Sequence, residues 1–336
     1  MDFDSLYQQH AGRLEDFWSR RNSTLRFVEQ LAPCGRPVQL ASNDPLAAGA
    51  ASQIAAGFTL APLREGPSHA INVIVAGQET AEPPADLFDH IQYTGYGRWL
   101  GIRLGGFGFA TADLERKEAW AVVDPGLGRR PELLTRYVLN TLVLNFLIAS
   151  ELGFLHATGL TRAGRALLIL GGHNQGKSTT ALRLLEAGWS LIADSHVFVE
   201  AEGEELLLYG FPVGRLRLRP DVLPARARHL MPEPVRGELK YRLDLRAFAP
   251  ERVQESVVRV PDVELYLLGL HDGEGSYLEP AGAAEVWQAL MANSLYYDTP
   301  ASWGSNLAQL ERLVARAQCR RLWAGRDPEI LAAVLE

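Results

Sequence analysis

The sequence predicts a mixed α/β protein of two domains: a small α/β domain over residues 1–130 and a P-loop domain over 131–336. Three observations predict it. Short apolar runs with turn punctuation fill residues 26–130, a proline-led helical run begins at Pro131, and beyond it a glycine-rich loop stands between an apolar strand and a helix. A chain of 336 residues can bury two cores. With 47% hydrophobic and 22% charged residues it has the ordinary globular balance, which excludes a disordered chain.

The elements follow in order. Residues 1–25 carry Leu6, Leu14, Phe17 and Trp18 at loosely helical spacing among charges, the pattern of a surface helix or docking arm. Strands are expected at Val38-Gln39-Leu40, Ile71 to Val75, Trp99 to Leu104, Gly106 to Thr111 and Trp120 to Val123. The Ala-rich run Leu46 to Phe58 supplies a helix, and the later strands read as an antiparallel meander. Pro131 suits a first helical turn, so Leu133 to Leu152 reads as a helix bridging the domains. Leu155 to Leu160 and Ala166 to Leu170 are two strands joined by a hairpin at Arg162-Ala163-Gly164-Arg165. Strands at Val197 to Glu200, Leu206 to Tyr209 and Val263 to Leu270 and helices near 281–293, 305–317 and 327–335 complete the second domain.

Composition also narrows partners and location. Forty acidic against 33 basic residues leave a net charge of −7, which argues against a protein held on nucleic acid by its overall field. Cys34 and Cys319 are far apart and form no metal-ligand cluster, so neither a disulfide framework nor a thiolate zinc site is expected. The acidic start Met1-Asp2-Phe3-Asp4-Ser5 is unlike a secretory signal, and the greasiest stretch, Tyr137 to Ser150, is broken by Asn140 and Asn145. A cytoplasmic protein with no membrane partner is the expectation. Self-association is left open.

The chemistry concentrates in Gly171-Gly172-His173-Asn174-Gln175-Gly176-Lys177-Ser178, which satisfies G-x-x-x-x-G-K-[ST] after one strand and before a helical run that starts Ser178-Thr179. Glycines let the main chain curl so that successive N–H groups point at phosphate oxygens, and the helix dipole adds to their pull. Lys177 is expected to reach the β and γ phosphates of ATP, and Ser178 Oγ to ligate Mg²⁺. The bland alternative is a glycine-rich turn with no ligand.

Trp189-Ser190-Leu191-Ile192-Ala193-Asp194 is a short apolar strand ending in an acid, one helix and one turn after Lys177. It is expected to return beside the strand that precedes the loop and to set Asp194 near the γ-phosphate, where a carboxylate can take a proton from an acceptor hydroxyl or hold Mg²⁺. An Asp at a strand end is otherwise a turn residue or helix cap.

His156, the glycine-rich loop and Leu191-Ile192-Ala193-Asp194 together resemble the catalytic domain of HPr kinase/phosphorylase and its diverged relatives. The likeness covers residues 152–200 well. It is weaker beyond, at Gly210-Phe211-Pro212 and at Cys319-Arg320-Arg321-Leu322. The resemblance implies an HPr-kinase-like, phosphoenolpyruvate-carboxykinase-like fold for the second domain. It also implies phosphate and Mg²⁺ ligation by Lys177 and Ser178, Asp194 as catalytic acid/base, and His156 as its neighbour. Two departures matter: Ser195 stands where the family has a second acid, and no acid occurs near 208–210. Kinase chemistry is therefore expected without the reverse phosphorolysis.

Other residues carry weaker signals. A lone histidine such as His156 is commonly a core residue, and its expected task beside Asp194 is to orient the carboxylate or contact phosphate. Lys240, in the polar stretch Arg236 to Arg242, is one of three lysines and reads either as a second cation over the nucleotide or as a solvated loop residue. Arg215, Arg217 and Arg219 alternate on one strand face and either bind an acidic substrate or face water. Tyr296-Tyr297-Asp298 to Trp303 reads as an acceptor-pocket wall or as packing.

The expectation is an ATP-dependent kinase acting on a hydroxyl-bearing acceptor. That acceptor is a serine in a protein or precursor peptide, or a small molecule; the family includes enzymes that phosphorylate the terminal serine of lasso precursor peptides. The rivals are an ATP-binding regulator without phosphotransfer and a phosphoenolpyruvate carboxykinase-like lyase.

Overall fold

The computed structural model describes residues 24–66, 68–77, 82–230, 233–235, 240–294 and 300–335. The arm expected over residues 1–25 therefore falls almost wholly outside the described residues.

The described chain divides into two compact units. The first contains β1 (Phe27–Leu31), β2 (Val38–Ser42), most of α1 (Pro45–Gly57), β3 (His69–Val75), β4 (Gln92–Tyr96), β5 (Trp99–Arg103), β6 (Gly108–Asp113) and β7 (Glu118–Val123). Its sheet runs β1-β2-β3-β7-β6-β5-β4, parallel where α1 crosses from β2 to β3 and between β3 and β7. β4 to β7 form the expected antiparallel meander. Asp44 caps α1 by accepting from Leu46 and Ala47 N–H at 2.8 and 3.0 Å.

The proline-led helix is one run over 131–148. Pro131 occupies its first turn, a wider π turn spans Thr135–Leu139, and Asn140–Ile148 closes it, four residues short of the expected Leu152. Up to Phe146 it belongs to the first unit, where Tyr137 donates to Asp86 Oδ1 at 2.6 Å. The expected boundary at 130/131 is thus corrected to 146/147, and residues 32–35 and 55–64 belong to the second unit. The reason is local pairing. Thr59 N–H donates to Gly210 O at 3.2 Å, Leu60 N–H to Glu255 O at 2.8 Å, and Phe58 stacks on Phe211 with centroids 4.2 Å apart.

The second unit holds β8 (Gly153–Leu155), β9 (Thr158–Arg162), β10 (Arg165–Leu170), a helix Lys177–Glu186, β11 (Ser190–Asp194), β12 (His196–Glu202), β13 (Glu205–Phe211) and β14 (Arg215–Leu218). It continues with β15 (Glu233–Val235), β16 (Lys240–Asp244), β17 (Val258–Val260), β18 (Val263–Leu270), β19 (Tyr277–Pro280), a helix Ala283–Ala292, a helix Pro300–Ala315, β20 (Ala317–Ala324) and a helix Pro328–Val334. The main sheet runs β11-β9-β10-β18-β20-β19, a second runs β17-β13-β12-β8, and a third β14-β16-β15.

Two expectations change here. The strand carrying Asp194 does not lie beside β10: β9 stands between them, antiparallel to both, so β10 and β11 run the same way two places apart. The strand expected over Leu155 to Leu160 is broken at His156-Ala157, because β8 pairs with β12 in the second sheet whereas β9 joins the main one.

β10, parallel to β18 and antiparallel to β9, is a central strand buried on both faces. Leu168 and Leu170 face a core shared with Val197, Val199, Leu206 and Leu208 of the second sheet. Leu167 and Ile169 face the opposite core, with Leu184, Leu185 and Trp189. The two sheets approach closely at Gly210, where a Cβ would lie 2.1 Å from Ile192 O. Only a residue without a side chain fits there.

Candidate functional site

The loop between β10 and the helix Lys177–Glu186 turns on two left-handed residues, Asn174 (φ 62°) and Gly176 (φ 88°). Gly176 precedes the first helical residue, and a Cβ on it would come 3.3 Å from the Leu270 side chain. The Gln175 side chain closes the curl by accepting from Gly172 N–H at 2.5 Å. Lys177 is 8% exposed, and its Nζ donates to Gly171 O at 2.6 Å and Gly172 O at 3.1 Å, which directs the ammonium into the curl. Burial lowers the Lys177 pKa; Asp194 opposes that shift and Lys240 adds to it.

Three donors converge on Asp194, which is 3% exposed. Thr158 Oγ1 donates to Oδ1 at 2.7 Å, Ser178 Oγ to Oδ2 at 2.7 Å, and Arg217 N–H to Oδ2 at 3.1 Å. The helix, β9, β11 and β14 thus meet at one carboxylate. Ser195, where the resembled family has an acid, donates instead to the Asp194 carbonyl at 2.7 Å.

His156 sits in the break between β8 and β9, its N–H donating to Asn293 O at 2.7 Å. Its ring meets His196 edge-on, centroids 5.8 Å apart, and His196 is flanked by Phe154 at 5.4 Å and Phe211 at 6.0 Å. Burial lowers His156 to a pKa of about 4, with Lys177 acting the same way and Asp194 against it. Burial lowers His196 to about 3. Both rings are neutral at pH 7.

A cavity of about 380 Å³ gathers His156, His173 to Thr179, Asp194 and Lys240, together with Ser195, Arg217, Arg219 and Asp221. The expected catalytic, phosphate-binding and metal-binding residues therefore share one concave site, except Gly171 and Gly172. Those two line a neighbouring cavity of about 530 Å³ that also touches His156, His173 and Gln175. Lys240 opens β16, while Arg236 to Leu239 lie outside the described residues. Arg215 and Arg217 alternate with buried Leu216 and Leu218 as expected. Arg215 pairs with Asp244 at 3.3 Å and Arg219 with Asp221 at 3.0 Å. Tyr296 to Asp298 lie outside the described residues, and Trp303 falls in the helix Pro300–Ala315.

Sequence reasoning missed Thr158 and the Arg217 N–H. The signal for Thr158 is register alone: it stands opposite Asp194 across β9 and β11.

Among the described residues, no group of three or more His, Cys, Asp or Glu side chains is placed to hold a metal, and no helix is long and apolar enough to cross a membrane.

No family model and no curated protein matches the chain. Among solved structures it is similar to the HPr(Ser) kinase/phosphatase from Coxiella burnetii, at 12% identity and a TM-score of 0.29. That similarity covers 54% of this chain and 93% of that one.

Proposed function

We propose that this chain is an ATP-dependent kinase that transfers the γ-phosphoryl group to an alcohol, either a serine hydroxyl of a protein or precursor peptide or the hydroxyl of a small molecule. The observation that carries the reading is the 2.7 Å hydrogen bond from Ser178 Oγ to Asp194 Oδ2. It joins the start of a helix to the end of β11 inside the cavity that also holds Lys177.

Each residue has a role in this reading. Main-chain N–H groups of the loop 171–178 and the Lys177 ammonium hold the β and γ phosphates, and Lys240 supplies a second cation. Ser178 Oγ and Asp194 Oδ2 are the residues that would hold Mg²⁺. They are hard oxygen donors 2.7 Å apart, and an ion that keeps water and phosphate ligands needs few protein oxygens. When bound, Mg²⁺ neutralises charge on the β and γ phosphates. Asp194 takes the acceptor's hydroxyl proton as that oxygen bonds to the γ-phosphorus and the bond to the β–γ bridging oxygen breaks, releasing ADP. Thr158 fixes the orientation of Asp194, and neutral His156, which lines both cavities, hydrogen-bonds the transferring group in this reading.

The test incubates the full chain with γ-labelled Mg-ATP and a panel of serine peptides and small alcohols. Transfer to an acceptor is expected, with Asp194→Asn keeping Mg-ATP binding while turnover falls about 10²–10⁴-fold. Tight Mg-ATP binding with no acceptor labelled overturns the kinase and favours a nucleotide-binding regulator, whereas full turnover in Asp194→Asn overturns the role of Asp194 as the base.

A further inference from the structure

The same cavity runs well beyond the phosphate loop. β11, β10, β18 and β20 all point the same way, so Asp194, the loop after Leu170, Leu270 and Ala324 lie along one edge of the main sheet. Steps of about 4.8 Å between neighbouring strands put the β11 and β20 ends roughly 19 Å apart, with the loop between them. The cavity lining follows this edge, from Asp194 at one end to Leu270, His271, Gly325 and Arg326 at the other. In such sheets ligands lie across the carboxyl ends of the strands.

If Asp194 faces the reacting end of a triphosphate, the rest of the molecule extends toward β18 and β20. The far end sets one exposed apolar side chain, Leu270, beside the polar His271, Asp272 and Arg326, the last two paired at 3.3 Å. Leu270 is 53% exposed although it ends a strand whose preceding residues are mostly buried, and it abuts Gly176. Its backbone is held firmly: Trp323 packs so closely over Gly269 that a Cβ there would lie 2.6 Å from the indole. Opposite Leu270 in the register stands Ala324, followed by Gly325, whose O accepts from Arg183 at 2.6 Å and which a Cβ would drive to 2.4 Å from Glu274 O.

We infer that Leu270, with the Gly325-Arg326 turn beyond Ala324, is the seat of the purine nucleoside, the base lying flat on the leucine and Arg326 at its outer rim. This rests on the kinase reading, which fixes only the phosphate end.

The experiment measures Mg-ATP and magnesium tripolyphosphate affinities by calorimetry for the full wild-type chain and for Leu270→Ala. Wild type is expected to bind Mg-ATP more tightly than tripolyphosphate. Leu270→Ala should cut that advantage about fivefold, the effect of removing partly buried methyl groups, while tripolyphosphate affinity holds. An unchanged advantage in Leu270→Ala overturns the nucleoside seat and leaves the phosphate reading standing. Failure of wild type to bind tripolyphosphate overturns the phosphate cradle and the seat with it. Unaltered tripolyphosphate affinity also certifies that the variant is folded.

Discussion

Thr158 stands directly opposite Asp194 in the antiparallel register of β9 and β11, and its hydroxyl donates to Asp194 Oδ1 at 2.7 Å. Both residues are buried, so the hydroxyl is not replaceable by bulk water. Thr158→Val keeps the shape and removes the donor. The expected result is a loss of about 1–3 kcal/mol in stability by denaturant titration, a fall in turnover, and Mg-ATP affinity within a few-fold of wild type.

Lys177→Ala is expected to abolish the thermal shift produced by Mg-ATP. The ammonium is the one lysine aimed into the loop, held by the carbonyls of Gly171 and Gly172. A shift equal to that of wild type would remove the phosphate assignment.

Gly210→Ala should damage the site from outside it. The new methyl would meet Ile192 O, a main-chain atom that cannot swing aside, two residues before Asp194. Overpacking of this kind costs about 1–3 kcal/mol or more, and the expected readout is a lower melting temperature together with weakened turnover.

The pH dependence of stability has a source in the first unit. His69 is 1% exposed, its Nδ1 lies 3.2 Å from Pro37 O, and burial lowers its pKa to about 4. An unfolded histidine near 6.5 takes up a proton that the folded one refuses. The contribution is therefore complete above pH 6.5 and is lost as pH falls toward 4, by on the order of 3 kcal/mol. Denaturant titrations from pH 7 to pH 4 should show this loss in wild type and a shallower one in His69→Phe.

Much of the site was legible because its parts are local. The motif Gly171 to Ser178 needs only a strand before it and a helix after it, and both are present. Asp194 was readable as the acid that ends the next apolar run. What was not legible depends on long-range pairing. Nothing in Leu155 to Leu160 announces that β8 and β9 join different sheets, or that β9 inserts between β10 and β11. The transfer of residues 55–64 to the second unit likewise arises from backbone bonds of Thr59 and Leu60 to partners some 150 to 200 positions away, which no local pattern records. Arg217 was legible as a charge on a strand face, but the part of it that reaches Asp194 is its main-chain N–H.

The hairpin joining β9 to β10 turns on Ala163 and Gly164, with φ of 49° and 79°, and from it the pairing runs Arg162 with Arg165 down to Thr158 with Ile169. Alternate residues of a strand point to opposite faces, so a one-residue slip of that register would invert every side chain of β9 against its neighbour. The threonine would then point away from the carboxylate it steadies. A surface bend at the opposite end of the strand thus acts as a gauge for the alignment of the acid, and a register slip there should disarm the site while leaving each of its chemical groups intact.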